Sequence, residues 1–148
     1  LRPPYVHGEY TRQNLRRKFR DSGAPVLLGT ASFWEGVDVP GRARQGLIIA
    51  KLPFRVPTEP VTAAHCEAIV DRGGDAFSEY MVPHAALRLK QGFGRLIRTA
   101  TDRGVIVLVD PRAVNKAYGR ALLRDLPPAR RVFGPWKTIV RQLQDFYL

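Results

Sequence analysis

Gln91, Arg95 and Arg98 stand four and three residues apart in the stretch QGFGRLIRT, residues 91–99. On a helix turning about 100° per residue, Arg95 falls about 40° to one side of Gln91 and Arg98 about 20° to the other. The three polar side chains share one narrow face. Ala86, Leu89, Phe93, Leu96, Ile97 and Ala100 gather on the opposite face, which can pack on a sheet. Two guanidiniums one turn apart repel unless an anion or water lies between them, and their planar, forked donors suit phosphate oxygens. The Gln91 amide can orient a water or a phosphate oxygen. Gly92 and Gly94 each cost a helix about 1 kcal/mol relative to alanine. At Gly94 the missing side chain lets another backbone or a ligand approach beside Arg95. The spacing alone also fits a solvated basic face with incidental glycines.

The elements that must position this face follow from apolar patterning and breakers. TRQNLRRKFRDS (11–22) predicts a helix with Leu15 and Phe19 as an i, i+4 apolar pair, ended by Gly23-Ala24-Pro25. VLLG (26–29), GLIIAKL (46–52) and GVIVLVD (104–110) are continuously apolar runs that predict buried strands, and PYVHG near the start can add another. Pro53, Pro57 and Pro60 forbid regular structure until about Thr62. Helices are expected over 61–72, from Pro83 to about Thr99, over 114–124 and over 136–147, the last anchored to the core by Trp136, Phe146 and Tyr147. Strands alternating with helices imply an α/β fold, a parallel sheet covered on both faces, with its binding crevice at the carboxyl ends of the strands.

QGFGRLIRT matches the Gln-x-x-Gly-Arg-x-x-Arg signature of motif VI in superfamily-two helicases. GTASFWEGVDVPG (29–41) resembles motif V of the branch containing DinG and XPD, and KLPFRVPTEPV (51–61) resembles the Leu-Pro-Phe-x-x-Pro segment that follows it. VDPR (109–112) and NKAYGRALLRDLP (115–127) resemble the carboxyl-terminal end of DinG itself. The ordered set covers about Gln13 to Pro127. It implies a RecA-like second motor domain of a DNA helicase, spanning 1–148 and incomplete at its amino end. In that family two such domains clasp ATP, and the first carries the Gly-Lys-Thr phosphate loop, the acidic magnesium motif and, often, a four-cysteine iron–sulfur cluster. No G-x-x-x-x-G-K-[ST] or Asp-Glu-Ala-His stretch occurs in this sequence. The chain alone is therefore expected not to hydrolyse ATP.

The resemblance implies roles residue by residue. Arg98 is the expected arginine finger on the γ-phosphate, Arg95 a second phosphate contact or structural clamp, and Gln91 the group that orients the attacking water or senses the γ-phosphate. Glu35, Gly36 and Asp38, with Gly94, are expected on the nucleotide side. Asp38 has the ribose, a magnesium-bound water or a motif VI arginine as alternative partners. Thr30, Ser32 and the amides beside them suit DNA phosphates, and Trp34 suits stacking on a base or packing in the core. Lys51 and Arg55 flank the exit of the second strand, where they can meet the backbone of single-stranded DNA. Glu35 and Asp38 as an isolated acid/base pair have no supporting constellation. Asp110 and Arg112 predict a local ion pair, and Arg12, Arg16, Arg17, Lys18 and Arg20 a basic helix surface, solvated by default, with DNA contact as the alternative.

Composition bounds the rest. The 148 residues carry a net charge of +11, which favours polyanionic partners. Cys66 is the single cysteine, so this chain forms no internal disulfide and no Cys-rich metal site; packing beside His65 is the expected role. No metal is expected on the chain. ATP and Mg²⁺ are expected to be bound mainly by the first helicase domain of the same polypeptide, and any iron–sulfur cluster to lie upstream. No apolar run approaches a membrane span and Leu1–Tyr10 has no apolar block, so a cytoplasmic, nucleoid-associated location is expected. The missing initial Met suggests a piece of a longer protein. A related RNA helicase, a nuclease-fused helicase and a non-enzymatic nucleic-acid-binding module are the alternatives.

Overall fold

In a computed structural model of the chain, residues 4–21, 27–29, 46–97 and 102–147 are described, apart from the side chains of Arg12, Arg16, Arg20 and Arg95. Two β-α-β units carry the strands. β1 (Tyr5–Val6) leads through helix α1 (Arg12–Asp21) to β2 (Leu27–Leu28), which pairs with β1 in parallel, Tyr5 beside Leu27 and Val6 beside Leu28. The PYVHG segment thus does supply a strand. α1 follows its i, i+4 pattern: Leu15 and Phe19 are buried while Arg17 and Lys18 are exposed, and the Lys18 ammonium sits 4.2 Å from the Tyr10 ring centroid.

β3 (Gly46–Ile49) pairs in parallel with β4 (Val105–Leu108), with Leu47 beside Ile106 and Ile49 beside Leu108. Because side chains alternate along a strand, these four share one face. That face meets the core: Ile49, Leu52, Ala85, Leu89, Ala113, Leu122 and Leu126 form one buried cluster, with Leu47, Ile106 and Leu108 packed against it. On the other face Ile48 is exposed. Among the described residues β3 and β4 are shorter than the apolar runs that predict them, and the two ladders are separate.

The crossover from β3 to β4 contains α2 (Pro60–Asp71), a π-helical turn (Phe77–Met81) and α3 (Val82–Leu96). α2 opens on Pro60, whose missing N–H costs nothing in a first turn. Asp75 then caps the π turn: its carboxylate accepts from the Phe77 N–H at 3.0 Å and the Ser78 hydroxyl at 2.6 Å. Glu79 reaches back to the Asp75 N–H at 3.1 Å and pairs with Arg72. Gly74 gives Glu79 room, since a Cβ there would stand 2.5 Å from its Oε1. The helix expected to begin at Pro83 begins at Val82, with Pro83 in its first turn, but it continues directly from the π turn, which the sequence did not show. A proline inside a helix cannot donate to the carbonyl four residues back and its ring crowds that carbonyl. Here a wider turn precedes it, closed by the Val82 N–H on the Phe77 carbonyl.

After β4 the helix expected over 114–124 is two helices, α4 (Arg112–Asn115) and α5 (Ala117–Arg124), separated by an extended Lys116. Gly119 lets them touch, because a Cβ there would fall 2.0 Å from the Arg112 carbonyl oxygen. α6 (Trp136–Tyr147) lies where expected, but its anchor does not. Trp136 is 60% exposed and Phe146 and Tyr147 are also exposed; Ile139, Val140, Gln142 and Leu143 are the half-buried residues. The carboxyl end is held in part, with the Arg103 guanidinium 5.3 Å from the Phe146 ring centroid and the Tyr147 hydroxyl 3.2 Å from where a Gly46 Cβ would stand, while Trp136 anchors nothing to the core among the described residues. Arg130 ties the preceding connector to it by donating to Gln142 at 2.7 Å.

Candidate phosphate-facing helix

α3 divides as its sequence dictates. Ala85, Leu89, Gly92 and Leu96, spaced i, i+4, i+7 and i+11, are buried, with Ala86 and Phe93 packed against the core beside them. The two glycines of the motif therefore differ. Gly92 lies on the packed side. Gly94 is exposed, and a Cβ built on it meets nothing within 4 Å. Ile97, assigned to the packed face from periodicity, is exposed where the helix ends in extended backbone. Leu96 is fixed by Gly104 at the start of β4, where a Cβ would come within 2.7 Å of the Leu96 Cγ.

Gln91 is exposed on α3, opposite the buried stripe, and the backbone of Arg95 continues the same helix. Arg98 lies outside the described residues, as do Thr30, Ser32, Trp34, Glu35, Gly36 and Asp38. The structure therefore brings together Gln91 and Gly94 on one helix. Lys51 is exposed and Arg55 half-buried in the segment leaving β3, where the sequence places them.

Asp110 and Arg112 form the ion pair predicted from their turn, but its reach is longer. The buried Asp110 carboxylate accepts from the Arg112 Nε at 3.0 Å and Nη2 at 2.6 Å, from the Arg112 N–H at 3.0 Å, and from the Leu52 N–H at 2.8 Å. Hydrogen bonds from Arg112 hold this carboxyl well below the usual carboxylate range, against the opposing effect of burial. One side chain thus fixes the ends of both core strands together and sets where Lys51 and Arg55 emerge.

Two groups were missed from sequence. His84 and Arg88 continue the Gln91 face toward the amino end of α3, at i−7 and i−3, a periodicity that was available. Tyr80 packs 4.3 Å from His84 and 5.0 Å from His65, centroid to centroid. Burial first, then the nearby cations Arg55 and Arg88, lower the His84 pKa and favour a neutral imidazole. The second group is a cluster of Phe54, Phe77 and Tyr118, with ring centroids 5.1–5.7 Å apart, which joins three elements remote in sequence. No local spacing could have found it. Among the described residues, no three His, Cys, Asp or Glu gather as metal ligands, and no helix is long and apolar enough to cross a membrane.

Comparison with known proteins adds an independent line. The profile of a family described as the helicase C-terminal domain matches residues 3–129. A protein named ATP-dependent DNA helicase DinG from Photobacterium profundum is 49% identical over 131 residues, covering 86% of this chain and 19% of the relative. The ATP-dependent DNA helicase YoaA of Escherichia coli is 47% identical over 129 residues, 87% of this chain and 20% of the relative. A protein named 3'-5' exonuclease DinG from Bacillus subtilis is 43% identical over 113 residues, 76% of this chain and 12% of the relative. The chain thus spans a fifth or less of the length of these relatives.

Proposed function

The chain belongs to the helicase C-terminal domain family, and from that premise we propose that it is the second motor domain of an ATP-dependent DNA helicase of the DinG type. The observation that carries this reading is the division of α3. Its buried stripe locks the helix to the core, while Gln91 and the open space at Gly94 face away from it. A polar helix face held rigidly from behind suits a phosphate bound mainly by a separate domain. The first helicase domain of the same polypeptide is that partner, supplying the phosphate loop, the magnesium ligands and any iron–sulfur cluster.

On this reading Arg98 stabilises charge on the transferred γ-phosphoryl group, Arg95 neutralises a second phosphate charge, and Gln91 orients the attacking water. Closure of the two domains brings these groups to ATP, and hydrolysis releases them. Glu35, Gly36 and Asp38 couple that cycle to DNA, while Thr30, Ser32, Trp34, Lys51 and Arg55 follow the single strand. The isolated chain lacks the nucleotide's main binding loop and is inactive as an ATPase. A cytoplasmic location at the nucleoid follows from the same reading. The relative named as an exonuclease fits a motor domain carried alongside other chemistry, so nuclease activity is not assigned to this chain.

The test is Arg98→Ala in the full-length protein. An arginine finger contributes roughly 10³–10⁵ in rate, so DNA-stimulated ATP hydrolysis falls by about that factor while nucleotide binding changes little. Unchanged turnover removes Arg98 from the mechanism.

A further inference from the structure

Phe54, in the segment that leaves β3, stacks on Phe77 of the π turn with centroids 5.6 Å apart and planes inclined by 27°. Tyr118 of α5 stands edge-on to both, at 5.7 and 5.1 Å. With Arg55, Met81 and Arg112 these rings line a cavity of about 320 Å³. Packing alone accounts for part of this group, but not for three of its features.

The first is Arg55. Its Nε is buried and has no hydrogen-bond acceptor among the described residues. A buried donor on a charged group is costly to leave unmade and calls for an acceptor. The second is Arg112, whose guanidinium lies 5.8 Å from the Phe54 ring centroid. Asp110 holds its Nε and Nη2 and the Tyr118 hydroxyl also bonds it, which fixes the cation against the rings. Two guanidiniums against one carboxylate leave the lining net positive. The third is Phe77, which is 41% exposed at the opening of the π turn and pinned there through the Asp75 cap. π turns concentrate at functional sites.

Aromatic faces beside cationic, forked donors recognise a planar ring joined to an anion. The volume lies at the lower end of the range for small-molecule sites and suits a single unit of that kind. We propose that the pocket between Phe54, Phe77 and Tyr118 takes one nucleotide unit, its base against the rings and its phosphate at Arg55. This rests on the nucleic-acid motor reading and adds to it a seat at which one base is held. A base of the DNA strand and the base of a free nucleotide share this chemistry, and the experiment separates them.

The full-length protein is titrated with three fluorescent probes: an oligo(dT), a wholly abasic strand of equal length, and a methylanthraniloyl derivative of ATP. Phe77→Leu keeps apolar volume and removes the stacking face; Phe77→Trp keeps both. One lost stack predicts roughly 5- to 100-fold weaker oligo(dT) binding in Phe77→Leu, unchanged abasic binding, and near wild-type behaviour in Phe77→Trp. Weakening confined to the ATP derivative assigns the same pocket to free nucleotide. Equal loss on oligo(dT) and abasic strands, or no loss on any probe, overturns the pocket. Failure of the motor reading has a different signature, a wild-type protein that binds neither strand, and the ATP derivative then decides the pocket.

Discussion

Gly94 separates what this chain needs from what its partner needs. Nothing lies within 4 Å of a Cβ placed there, so no contact of the described residues demands a glycine. Gly119 is the contrast, because its Cβ would strike the Arg112 carbonyl. Gly94→Ala restores helix propensity and should stabilise the domain by about 1 kcal/mol, visible as a higher urea midpoint. Open space beside an exposed helical glycine fits close approach by a group outside the chain. The same variant is therefore expected to slow DNA-stimulated ATP hydrolysis in the full-length protein, through domain closure. A variant that gains stability and keeps full turnover shows that nothing approaches Gly94.

At the scale of elements, Asp110 is the fastener. It joins the exit of β3, through Leu52, to the turn that opens α4. Its pKa is lowered in the fold, so its stabilisation is complete above the unfolded value of about 3.9 and is lost as pH falls below it toward the folded value. Between those two values the loss is about 1.4 kcal/mol per pH unit. Asp110→Asn lacks the charge and should be less stable than wild type at pH 7, with the gap in urea unfolding narrowing below about pH 4. A gap independent of pH shows that the carboxylate's charge does not hold the strands. This turn was legible in sequence because its partners are two residues apart; its bond to Leu52 was not, since Leu52 lies 58 residues away. The same distinction runs through the fold. Among the described residues, α1, α2, α6 and the four strands carry local periodicity or breakers, and each was found within a few residues. The π turn was missed because a proline signals a helix start as readily as a helix continuing from a wider turn, and the break at Lys116 was missed because neither proline nor glycine marks it. Trp136 was misplaced because amphipathicity gives the direction a residue faces, not whether anything covers it.

For the whole molecule, the motif from Gln91 to Arg98 could be read because its residues are close in sequence, whereas the aromatic pocket could not, because Phe54, Phe77 and Tyr118 come from separate elements. Charge is the property read most directly, and it carries the last prediction. A net charge of +11 makes the chain a counterion to a polyanion, and the exposed Arg17, Lys18 and Lys51 show that some of this charge faces solvent rather than internal partners. If binding to a single strand is dominated by phosphate neutralisation, affinity must fall with salt, with a log–log slope of about −0.7 per phosphate neutralised. Contact with about five phosphates then weakens oligo(dT) binding roughly a hundredfold between 50 and 200 mM salt. A stacked base releases no counterions, so Phe77→Leu should shift the whole curve without changing its slope, whereas Lys51→Ala should reduce the slope by about 0.7. Anisotropy titrations at four salt concentrations resolve both. A flat salt dependence in the wild type would mean that the basic surface faces something other than a nucleic-acid backbone.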